Sequence, residues 1–137
     1  MPKGYTNGVA AEGRIVVTGG VIGWDAEERL ADGFVPRVRQ TLSNIAVILA
    51  EGGARPEHLV RLIWYVVDMD EYLANLTGLG QAYREIFFSA MALVQVVRLV
   101  EKAARVEIEA TAVLPRADAR TRLRRKQTSV GRGHEGE

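Results

Sequence analysis

Cysteine is absent from the 137-residue sequence, and histidine occurs only at His58 and His134. The first absence excludes disulfides, thiolate nucleophiles and cysteine-ligated zinc. The second leaves too few imidazoles for a histidine metal cluster or a Ser-His-Asp triad. Apolar runs approaching the roughly 18 residues of a membrane-spanning helix are also missing. The opening residues, MPKGYTNGVAAEG, lack the charged-then-apolar order of a signal peptide. A soluble, cytoplasmic protein that does not enter membranes is expected.

Aromatic and aliphatic residues thin out towards the end of the chain. The stretch PRADARTRLRRKQTSVGRGHEGE holds one leucine, one valine and no aromatic. That is too little apolar surface to offset the entropy of ordering it. Charge divides at the same place: residues 1–115 carry 11 Lys/Arg against 14 Asp/Glu, and residues 116–137 carry 7 against 3. One folded domain over residues 1–115 and a basic, disordered tail over residues 116–137 are expected. The tail could contact RNA or another polyanion, but single-strand binders interleave aromatics with their basic residues and this tail does not.

Within the folded part, IVVT at residues 15–18 is β-branched and stops at Gly19 and Gly20, with apolar residues resuming at Val21 and Ile22. Val38, Leu42, Ile45 and Leu49 recur at helical spacing, with Pro36 suited to a first turn and Gly52-Gly53 to a stop. LVRLIWYVV at residues 59–67 is apolar on both alternating faces, as in a central strand, and its Trp64 is expected in the core. A second helix follows, with Asp68 or Asp70 as N-cap and a stripe of Leu73, Leu76, Gly80, Tyr83 and Phe87; Gly78 and Gly80 either weaken it or permit close contact. Residues 87–113 read as a final pair of strands joined by a short charged turn. In the last of these Val106, Ile108, Ala110 and Ala112 alternate with Arg105, Glu107, Glu109 and Thr111. This order gives an α+β domain, a mixed sheet with both helices on one face. The other face is too apolar for a monomer, so a symmetric oligomer is expected to cover it.

The motifs YTNGV (residues 5–9), GRIVVTGG (13–20), IGWD (22–25), QTLSNI (40–45), GGARPEHLVRLIWYVVDMDEY (52–72) and RVEIEATAV (105–113), in this order and spacing, resemble the Rid (YjgF) family. The resemblance implies a chorismate-mutase-like protomer, a homotrimer and small-molecule pockets in the clefts between subunits. It also implies, for the best-known members, hydrolysis of enamines and imines to 2-oxo acids and ammonia without metal or cofactor. In those members the first strand of the final pair opens with Pro-Ala-Arg, and the arginine holds the substrate carboxylate. The matching residues here are Ser89-Ala90-Met91, and methionine cannot pair with a carboxylate. The family's nearby cysteine falls on Leu93 and its pocket asparagine on Gly80.

Other pocket positions persist. The N-terminal tyrosine matches Tyr5, the serine of a Ser-Gly-Gln turn matches Thr18, and the water-handling glutamate matches Glu107, a general acid–base candidate. The glutamine of that turn is Gly20, and one residue is inserted before IGWD. Arg98 and Arg105 are possible substitute anion ligands, though strand-end arginines more often make surface ion pairs. A trimer binding a small imine, enamine or carbonyl metabolite, with deaminase activity on 2-imino acids weak or lost, is the expected function. An active deaminase of altered substrate and an RNA-binding or endoribonuclease-like protein are the alternatives.

Overall fold

A computed structural model of the chain describes residues 7–83 and 89–116. Tyr5, Phe87, His134 and the tail from residue 117 lie outside the described residues. Four strands, β1 (Arg14–Val17), β2 (Leu59–Val66), β3 (Ala90–Gln95) and β4 (Val106–Leu114), form one sheet in the order β1-β4-β2-β3. The β1–β4 and β4–β2 pairs are antiparallel and the β2–β3 pair is parallel, which makes the sheet mixed.

The two last strands are therefore not a hairpin, as the sequence suggested; β2 lies between them. Two strand spacings of about 4.8 Å separate their axes, and residues 96–105 supply a connection longer than a hairpin turn. The parallel β2–β3 pair requires a crossover, which the helical segment after β2 provides. Central placement gives the apolar run of β2 a hydrogen-bonded neighbour at both edges.

Helix α1 (Phe34–Glu51) buries Val38, Leu42, Ile45 and Leu49, the expected stripe, together with Phe34 and Thr41. It ends at Gly52, and Gly53 follows at φ 88°. Against it lie the inward residues of β4, Val106, Ile108, Ala110 and Ala112, and Leu62, Trp64 and Val66 of β2. Trp64 is fully buried, with the Tyr72 ring edge-on at 6.2 Å.

After β2, Asp68 caps a helix by accepting the backbone N–H groups of Asp70 and Glu71 at 3.0 and 3.3 Å. That helix is short: α2 (Met69–Ala74) stops at Asn75, whose side chain donates to the Glu71 carbonyl at 2.7 Å, and α3 (Leu76–Tyr83) begins anew. The break resets the helical phase. Leu73 and Leu76, expected in the core, are half exposed to solvent, and Leu79 and Ala82 are buried instead. Of the two glycines in α3, Gly78 is the one at a close contact: a Cβ there would press on the Val35 side chain of α1 at 3.0 Å, whereas space is open around Gly80.

The sheet face away from the helices carries Ile15 and Val17 of β1, 65% and 61% exposed, in register with Val113 and Thr111 of β4. Ile63 and Tyr65 of β2 and Val94 of β3 share that face by strand alternation. These apolar side chains share the face with Arg61, Glu107, Glu109 and Thr111, and no helix among the described residues covers them. No helix among the described residues is long and apolar enough to cross a membrane.

Candidate functional site

The site is built where the chain leaves β1. Thr18 donates its N–H to the Ala110 carbonyl at 2.9 Å, its hydroxyl accepts the Ala110 N–H at 3.0 Å, and the same hydroxyl donates to the Gly19 carbonyl at 2.7 Å. Val21 then exchanges both backbone hydrogen bonds with Ile108, at 2.8 and 2.9 Å. Three steps along this segment, from Thr18 to Val21, thus match two along β4, from Ala110 to Ile108. The extra residue on this side of the pairing makes a bulge. It brings Gly20 against Glu107, so closely that a Cβ on Gly20 would overlap the carboxylate.

Beyond the bulge, Asn44 of α1 pins the loop. Its Nδ2 donates to the carbonyls of Ile22 and Trp24 at 3.1 and 2.8 Å, while its Oδ1 accepts from Gln40 Nε2 at 2.9 Å. The QTLSNI motif contains both residues, yet spacing alone assigned them no role, because the carbonyls they hold are some 20 residues upstream. Between this loop, α1 and the segment before β4 opens a cavity of about 640 Å³. Val21, Ile22 and Trp24 form part of its wall, Val47 and Ile48 another, and Val100 a third. Glu101 and Glu107 are its charged groups.

Glu107 and Glu109, two residues apart on one face of β4, differ in their surroundings. The Tyr65 hydroxyl donates to Glu109 at 2.9 Å, which pushes the phenol above its ordinary range. Among the described residues no hydrogen bond or ion pair engages the Glu107 carboxylate. It is the chemically available one, able to take a proton from water or to face a cation.

The other sequence-predicted residues lie elsewhere. Met91 and Leu93 are in register with Leu62 and Trp64 of β2, half-buried and packed against the core on the helix side. Glu107 is in register with Tyr65, on the opposite face and with β2 intervening. Gly80 is exposed on α3. One chain thus brings Gly20 and Glu107 together in the cavity wall, leaves Thr18 bonded to Ala110 and outside the lining, and holds Met91 and Leu93 elsewhere. Arg105 pairs with Glu71 at 2.9 Å and Asp68 at 3.8 Å, the surface ion pair expected of a strand-end arginine. Arg98 is exposed, and neither arginine lines the cavity. His58 Nδ1 accepts the Arg55 N–H at 3.0 Å, a local turn contact. Among the described residues no three His, Cys, Asp or Glu side chains are grouped to hold a metal.

Residues 2–114 match the family described as Endoribonuclease L-PSP. A RutC family protein of Synechocystis sp. is 32% identical over 114 residues, which cover 81% of this chain and 86% of the relative. A Yersinia pestis Rid family protein of unknown function superposes with a TM-score of 0.71 at 31% identity, covering 81% of this chain and 87% of that one. The Escherichia coli YjgF protein does so with a TM-score of 0.67 at 25% identity, covering 80% and 87%. The motifs read from the sequence, the mixed sheet carrying its helices on one face, and these matches agree: the chain belongs to the Endoribonuclease L-PSP family, the Rid (YjgF) proteins.

Proposed function

We propose that this Rid-family chain is a homotrimer that binds a small imine, enamine or carbonyl metabolite in clefts between protomers, and that it hydrolyses 2-imino acids weakly or not at all. What carries this reading is Met91, half-buried against the core, at the position that the sequence resemblance matches to the arginine of deaminating relatives. Two further features support it. The uncovered apolar sheet face needs a partner surface, and Met91 with Leu93 can join Glu107 in one site only if a second copy supplies one set.

In such a cleft Glu107 would remove a proton from water as the oxygen attacks the imine carbon, and return one to the departing nitrogen. A 2-imino acid would bring its carboxylate beside Glu101 and Glu107 with no arginine to receive it. An arginine–carboxylate pair contributes about 1.5–3 kcal/mol, and leaving a buried carboxylate unpaired costs several more. At 1.4 kcal/mol per decade, the deficit is a rate loss of about a thousandfold. A polynucleotide fits this cavity no better, since among the described residues no Lys or Arg lines it. A deaminase acting on imines without a carboxylate is the second reading, favoured by the unengaged Glu107.

Sedimentation at micromolar concentration and ammonia release from freshly generated 2-iminopropionate test the proposal. A trimer turning over barely above the solvent rate is expected, with Met91→Arg gaining affinity for small carboxylates such as pyruvate. A monomer would remove the shared cleft. Rapid wild-type turnover, abolished by Glu107→Gln, would mean that another cation holds the substrate.

A further inference from the structure

Six carboxylates among the described residues are half-buried: Asp25, Asp68, Glu71, Glu101, Glu107 and Glu109. Four of them have a cation or a hydroxyl as partner. Asp25 faces Arg29 at 3.8 Å, Asp68 and Glu71 share Arg105, and Glu109 receives the Tyr65 hydroxyl. The two without such a partner, Glu101 and Glu107, line the same cavity. Glu101 accepts only the nearby Ala103 N–H, at 3.2 Å, and Lys102 beside it is exposed and not part of the lining.

From this coincidence we infer that the cavity beside Glu107 takes a small organic cation, a protonated amine or iminium on an apolar body, in preference to a neutral or anionic molecule of the same shape. The inference rests on the cleft-binding reading above and narrows its ligand class. Three observations converge on it. Glu107, half-buried and with no hydrogen bond or ion pair among the described residues, has lost part of its hydration, so an incoming ammonium offsets a cost already present. Among the described residues no Lys or Arg in the lining offers an anion a charge, and both N–H bonds of the Asn44 amide are committed to Ile22 and Trp24, which leaves the neutral Trp24 indole N–H as the side-chain donor. The walls are aliphatic with one indole, Trp24, which suits an apolar body and attracts cations through its ring face. A volume of about 640 Å³ is that of a small-molecule site. The relatives' arginine position, occupied here by Met91, adds no cation if a second copy brings it to the cleft.

The test is a charge series of matched shape, benzylamine, benzyl alcohol and benzoate, titrated calorimetrically into the full-length protein at low and high salt. Benzylamine is expected to bind about tenfold more tightly than benzyl alcohol, the scale of one charge-assisted hydrogen bond. Salt should narrow that gap, and benzoate should bind weakest. The double variant Glu101→Gln, Glu107→Gln should lose the amine preference while still binding the alcohol. Alcohol binding as tight as amine, no amine binding at all, or an amine preference that survives the double variant would each overturn the inference and leave the reading of weak 2-imino-acid turnover standing. Benzoate binding tightest would overturn both.

Discussion

Replacing Thr18 by valine separates a structural hydroxyl from a ligand-binding one. The side chain is buried, and its oxygen stands in for a backbone carbonyl by accepting the Ala110 N–H at 3.0 Å. Valine fills nearly the same space but leaves that N–H without an acceptor in the interior of the sheet. A buried donor left unsatisfied costs about 1–3 kcal/mol. The Gly19 carbonyl loses its partner as well, but Gly19 is exposed and water can replace the hydroxyl there. For a domain of this size each kcal/mol corresponds to about 4 °C in Tm, so Thr18→Val should lower the melting temperature by about 4–12 °C. Thr18→Ser, which keeps the oxygen, should restore most of it. Melting must be followed at one fixed protomer concentration, because assembly of the proposed kind would add to apparent stability. Amide exchange at Ala110 supplies a local readout, with protection falling in the valine variant and persisting in the serine variant. A valine variant that melts with the wild type and keeps Ala110 protected would refute the assignment and return the hydroxyl to the ligand.

Gly20→Ala should act on the carboxylate rather than on the fold: the new methyl would occupy the position of the flexible end of Glu107, so Tm should hold while benzylamine affinity falls severalfold in the same calorimetric titration. Truncation after Pro115 should leave the thermal midpoint and the number of protomers in the sedimenting species unchanged, because β4 ends at Leu114; a drop of several degrees would place the domain boundary further along the chain.

Much of the protomer is legible without coordinates because the pattern is strong. Four apolar residues at helical spacing, closed by Gly52-Gly53, define α1, and the alternation from Val106 to Ala112 assigns the inward face of β4 residue by residue. Asp68 announces a helix start through the acceptor that its side chain offers to free N–H groups. The stripe through Leu73 and Leu76 failed where one local event, the break at Asn75, changed the phase of everything after it.

Sequence by itself determined which residues of α1 and β4 turn inward and where α1 stops, and its resemblance to the family is what proposes Glu107 and Met91 for functional positions. Neighbours were decided only by tertiary structure. Periodicity specifies the face of a strand and says nothing of the strand beside it, so the insertion of β2 between β3 and β4 could not be read from either one. From that insertion follows the separation of Met91 from Glu107. The bulge after Thr18 likewise commits a hydroxyl to Ala110, 92 positions away, and the meeting of loop, α1 and β4 leaves Glu101 and Glu107 facing one cavity without a cation among the described residues. Hydrogen bonds and charges act through space within a few ångströms, and proximity of that kind exists only once the chain has folded.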